Sequence, residues 1–160
     1  MKTSCGSPLL RRFLLSCLAT AFLIEAAGAS EPPPAADKPF AEASILLQLS
    51  DRDREKQSMV LDVANNLIKH YGDPELVDIE VIAFGPGIDL YRADNDPDLR
   101  ARIESLRVSG VRFVVCKNTL DTLARVTGKR PELVDGIYYV QTGVAHIVDR
   151  SREGFTVVRP

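Results

Sequence analysis

Cysteine, lysine, asparagine and threonine stand in a row at Cys116-Lys117-Asn118-Thr119, directly after the apolar run Val111, Phe113, Val114 and Val115. The run is β-branched and aromatic, bounded upstream by Gly110, and predicts a short buried strand. Leu120, Leu123 and Ala124 then recur at helical spacing, with Asn118 or Thr119 available as the cap. Cys116 thus falls at a strand's carboxyl end and a helix's amino end, the rim where open α/β sheets hold ligands. Backbone N–H groups and the positive helix end stabilise an anion there, and Lys117 adds a cation. Such surroundings favour thiolate, the nucleophilic form of cysteine. The competing reading is a small, inert, packed hydrophobe.

A second glycine-rich turn follows another apolar run. Gly85-Pro86-Gly87 comes after Val77-Asp78-Ile79-Glu80-Val81-Ile82-Ala83-Phe84, whose second half is apolar throughout, as in a sheet covered on both faces. It is either a tight turn or a loop that lets the backbone approach a ligand. It is no phosphate loop, because neither Gly-Lys-Ser/Thr nor a G-x-G-x-x-G spacing follows. Tyr91 and Arg92 lie in the polar stretch after it, readable as a lid or as a solvated loop.

Other chemistries lack their residues. His70 and His146 are the only histidines and fall in different predicted helices, so no zinc site and no metal is expected. There is no G-x-S-x-G elbow for a hydrolase and no C-x-x-C pair for thiol exchange. The cluster Asp89, Asp94, Asp96 and Asp98 lacks the spacing of a calcium loop and reads as solvated. A formal net charge of -2 gives no electrostatic case for nucleic acid. No cofactor is called for.

The elements that position these residues alternate along one domain's worth of chain. With 45% hydrophobic and 26% charged residues the composition is that of a globular protein, without repeats. Residues 1–29 read as a cleavable signal peptide: Lys2, Arg11 and Arg12 precede an apolar run from Phe13 to Ala27, and Ala27-Gly28-Ala29 suits cleavage. The expected location is periplasmic or secreted, with no membrane attachment after cleavage. Leu14-Leu15-Ser16-Cys17 resembles a lipoprotein box only loosely. Cys5 and Cys17 leave with the signal, so Cys116 has no internal mate in the mature chain. Residues 30–42, with Pro32-Pro33-Pro34, form an extended, flexible leader, and 43–160 the folded domain.

Within that domain, Ser44 to Leu49 predicts a strand. Val60, Val63, Ala64, Leu67, Ile68 and Tyr71 mark a helix over 53–70, which Gly72-Asp73-Pro74 stops. Pro97 opens a helix with Leu99, Ile103 and Leu106 buried. Ile137-Tyr138-Tyr139-Val140 is a fourth strand. Gly143 opens a helix with Val144, Ile147 and Val148 inward, and Phe155 to Val158 is a fifth strand. Strict alternation argues for a mostly parallel five-stranded sheet with helices on both faces and right-handed crossovers, its strand order left open.

From Ser44 to Pro160 the chain resembles the DsrE/DsrF-like family of small sulfur-relay proteins. The resemblance is carried by Ala83-Phe84-Gly85-Pro86-Gly87, by Gly110 through Leu120, and by Gly143-Val144-Ala145-His146-Ile147 through Gly154 to Pro160. No one of these motifs is highly specific; their order and spacing together are fairly specific. The resemblance implies a three-layer α/β/α sandwich, assembly as a homo-oligomer (trimer or hexamer), and sulfane sulfur carried as a persulfide on a cysteine ending the third strand, matched here by Cys116. Expected partners are sulfur donor and acceptor proteins. The expected site is Cys116 as nucleophile, with Lys117, Asn118, Thr119, Gly85, Gly87 and Tyr91 around the substrate. The function expected is a sulfur carrier or sulfurtransferase. The alternative is a non-catalytic oligomeric binding or redox-sensing module of the periplasm.

Overall fold

The structure, a computed structural model, describes residues 38–160; the signal peptide expected over 1–29 and residues 30–37 of the expected leader lie outside the described residues. The elements run β1 (Ala43–Leu49), α1 (Arg54–Tyr71), β2 (Val77–Ala83), α2 (Pro97–Val108), β3 (Arg112–Cys116), α3 (Lys117–Thr127), β4 (Ile137–Val140), α4 (Gly143–Arg152) and β5 (Thr156–Val158). They form a five-stranded sheet in the order β4-β3-β2-β1-β5. Every pairing is parallel, so the sheet is wholly rather than mostly so.

The strand order dictates the layers. From β1 to β4 each strand lies beside its predecessor on the same side, so right-handed crossovers put α1, α2 and α3 on one face. The last connection runs back across the sheet to the edge beside β1, and the same handedness sends α4 to the opposite face. The core follows this division. Ile45, Leu47, Val81, Phe113 and Val115 pack with Val60, Leu61, Ile103 and Leu120 on the three-helix face. On the α4 face the apolar cluster is small: Leu46, Ile82, Val114 and Phe155, with Ile147 against it.

Local signals set the helix ends. The Asp53 carboxylate accepts from the Lys56 N–H at 3.1 Å and caps α1, which closes on Gly72 at φ 80°. The end of the proline-rich stretch is tied to the domain. Lys38 Nζ donates to the carbonyls of Pro74 and Val77, and the Glu42 N–H donates to Leu76 O at 2.7 Å.

Helix α4 is rotated from the expected orientation. Val144 and Val148 are 56% and 43% exposed, and only Ile147 of the expected trio packs inward. The positions that meet the sheet are Gly143, His146, Ile147 and Arg150, an i, i+3, i+4, i+7 stripe. The reason is the surface underneath. Asp78, Glu80 and Arg112 lie buried on that face, and it is matched by charge rather than by valine.

Candidate functional site

Cys116 ends β3 and is itself the cap residue of α3, with Val140 as its neighbour across the register. Alternation along β3 puts Val114 and Cys116 on the α4 face. The connection after β3 climbs to the three-helix face and the one after β4 to the other face. The carboxyl ends of β3 and β4 therefore flank the point where the chain parts in two directions, the crevice that open α/β sheets use for binding. Two helix N-termini, those of α3 and α4, meet there. Their first-turn amides favour negative charge.

The thiol is enclosed. Cys116 is 5% exposed and Sγ lies 3.8 Å from Gln141 O. Gly143, the first residue of α4, covers it so closely that an added Cβ would stand 3.2 Å from both the Cys116 and the Phe84 Cβ atoms.

Asn118 and Thr119 are not caps, because α3 starts at Lys117 and both lie within its first turn. They clamp neighbouring loops instead. The Asn118 side chain donates to Thr142 Oγ1 at 3.1 Å and accepts from Gln141 Nε2 at 2.6 Å, while its backbone N–H donates to Gln141 O. Thr119 Oγ1 accepts from the Gly85 N–H at 3.0 Å. Lys117 is half-buried at the helix start.

Gly85, Asn118 and Thr119 meet in a cleft of about 440 Å³, lined also by Pro86, Leu123 and Val126. Cys116 is not among its lining residues. Nor are Lys117, Gly87 and Tyr91, so the expected set divides. Gly87 is buried against β1. Tyr91 is a core residue rather than part of a lid: its ring meets Phe113 edge-on at 5.8 Å and its hydroxyl donates to Val81 O at 2.7 Å. Burial, with the Glu80 charge nearby, holds that phenol well above its ordinary pKa.

A charged network went unread in the sequence. Arg112 Nη2 lies 2.8 Å from Asp78 Oδ1, and Arg112 Nε 3.6 Å from Glu80 Oε2. From α4, Arg150 Nε reaches Glu80 Oε2 at 3.1 Å, and His146 Nε2 hydrogen-bonds Glu80 Oε1. Phe155 lies under the Arg150 guanidinium at 4.4 Å. Burial alone would raise the Glu80 pKa. The His146 hydrogen bond and the charges of His146, Arg150 and Arg112 outweigh it and hold the carboxyl below its ordinary value. The signal was present: Asp78 and Glu80 alternate along β2, and Arg112 shares the parity of Cys116. Among the described residues no cluster of His, Cys, Asp or Glu could hold a metal ion.

No family model matches the sequence, and no curated protein matches it. Among solved structures the chain is similar to MTH1491 from Methanobacterium thermoautotrophicum, a protein of unknown function. The identity is 29% and the TM-score 0.64, over 74% of this chain and 100% of that one. It is also similar to the ychN protein from E. coli, at 16% identity and a TM-score of 0.56, over 75% of this chain and 99% of that one. The two neighbours, and the parallel sheet with its helices described above, fit a DsrE/DsrF-like fold.

Proposed function

We propose that this protein is a sulfur carrier or sulfurtransferase that holds sulfane sulfur as a persulfide on Cys116. The observation that carries the reading is the position of Cys116 in the crevice between the ends of β3 and β4, beside the first turns of α3 and α4. The Cys116 thiolate attacks the outer sulfur of a persulfide donor. The donor's S–S bond breaks, its inner sulfur leaves as thiolate, and the outer sulfur remains on Cys116 with its proton. An acceptor thiolate then attacks that outer sulfur and returns Cys116 to thiolate. No net oxidation occurs. Lys117 and the helix-start amides stabilise the anion in both steps. In this reading the mature chain works in the periplasm or outside the cell, as a homo-oligomer that meets separate donor and acceptor proteins.

Intact-mass analysis after exposure to a persulfide donor tests it. A ~32 Da gain on the wild-type chain, absent from Cys116→Ser, is expected for one added sulfur. A wild-type chain that gains nothing, or a Cys116→Ser chain that gains as much, overturns it.

A second reading draws on the enclosure of Cys116 and on the separate cleft beside Gly85 and Thr119. There the protein is an oligomeric binding or redox-sensing module. It then takes no sulfur from the donor, and peroxide converts Cys116 to an oxidised form that a dithiol reverses.

A further inference from the structure

Cys116 is covered by a helix that is fastened unlike the others. Helix α1 buries Val60, Leu61 and Ala64 completely, and its removal would expose that apolar surface to water. Helix α4 buries little of that kind. Its two exposed valines face away from the sheet, and its contacts are Ile147, Gly143 against Cys116 and Phe84, Arg150 stacked on Phe155, and His146 and Arg150 on Glu80. Attraction between buried charges is largely offset by the water they give up, so an ion-paired docking is close to balance where an apolar one is not. If α4 lifts, Glu80 regains water and keeps Arg112 beside it. The helix is flanked by Thr142 and by Gly154, whose φ is 101° and which has open space where a Cβ would stand, just before the buried Phe155.

The geometry points to α4 as a gate over Cys116, with Glu80 as the positioning residue that holds it shut through His146 and Arg150. The gate opens by swinging the Gly143 end away from Cys116 and Phe84. The groups facing Glu80 are Arg112 and Asp78 from the sheet and His146 and Arg150 from α4. Glu153 pairs with the far side of Arg150 at 2.6 Å, and the Lys38 N–H donates to Asp78. The inference deepens the carrier reading and rests on it for its purpose: a donor must reach a thiol that the closed helix encloses. Access itself is measurable without any sulfur chemistry.

The test is the rate at which iodoacetamide modifies Cys116 in the full-length chain at one fixed pH. It is read on the tryptic peptide Phe113–Lys117 for wild type, Glu80→Gln and Gly143→Ala. Glu80→Gln removes the charge that α4 grips, and Gly143→Ala wedges a methyl group against Cys116 and Phe84 while leaving every charge in place. Wild type should react at least about tenfold more slowly than glutathione, and each variant at least about tenfold faster than wild type, since loss of one buried partner unbalances such a pair. Circular dichroism should stay unchanged. Rates equal to wild type in both folded variants overturn the gate, as does a wild-type thiol that reacts like glutathione. Should Glu80→Gln fail to fold, Gly143→Ala decides alone. A chain that passes this test yet takes no sulfur from a persulfide donor has the gate without the carrier function. One that takes sulfur with variant rates unchanged has the function without the gate.

Discussion

The backbone of Leu49 occupies the place where Gly87 would carry a side chain. A Cβ there would stand 2.4 Å from Leu49 O and 2.8 Å from its carbonyl carbon, and backbone cannot swing aside as a side chain does. Gly87→Ala must therefore push the turn over Gly85–Tyr91 away from the end of β1, loosening Ile88, Leu90 and Tyr91 in the core. Overpacking of this kind costs about 1–3 kcal/mol. The expected outcome is a lower urea midpoint at unchanged slope; a midpoint equal to wild type would show that the turn yields freely. Gly85 and Gly87 look alike in the chain, two glycines around a proline, yet one lines a cleft and the other seals a core. Tyr91 was hidden in the same way. Its neighbours Asp89, Arg92 and Asp94 suggest a solvated loop, but the turn folds inward, held by Asn95 Nδ2 on the carbonyls of Asp89 and Leu90. Only packing against β1 and β3 separates these cases, and local residue types do not report it.

Among elements, β3 with α3 was the most legible, because a β-branched run followed by polar residues and then helical spacing has few other solutions. Helix α4 was legible in extent but not in rotation. Hydropathy selects Val144, Ile147 and Val148, whereas the sheet beneath offers Glu80, whose partners are His146 and Arg150. A helix reads its own stripe from sequence, but the face that receives it belongs to strands whose order is known only from the fold. That electrostatic seat makes a pH prediction. The folded-state pKa of Glu80 lies below its ordinary 4.5, so its contribution to stability is complete above that value and is lost as pH falls through the lowered one. Exposed Asp94 and half-buried Asp51 and Asp96 shift in the same direction, but their pairs lie at the surface, where solvent screens them. Urea midpoints measured downward from neutral pH should fall below about pH 4.5 in wild type and fall less steeply in Glu80→Gln. Parallel curves would mean that Glu80 adds nothing to the acid response.

At the scale of the molecule, one connection makes the two faces unequal. Three helices cover one side of the sheet, and the lone return crossing through α4 covers the other, with the outer side of that helix left apolar at Val144 and Val148. Alternation of strands and helices foretold the layers, but not that asymmetry, which follows from the strand order β4-β3-β2-β1-β5. The valines lie one turn apart on one stripe, which suits contact with another copy better than contact with water. Burying a valine is worth about 1.5 kcal/mol or more, and a closed ring repeats the gain at each interface. An assembly built this way would also press on the helix that covers Cys116, so subunit contact and thiol access would be coupled. The mass in solution by light scattering should be a multiple of the mass of one chain. Val148→Glu should reduce it to one chain at unchanged circular dichroism, and should speed iodoacetamide modification of Cys116 as α4 loses its outer support. If the variant keeps the wild-type mass, the assembly uses another surface and the valines leave α4 untouched. If the mass falls while the thiol rate stays fixed, the contacts of α4 within its own chain hold it without help from the assembly.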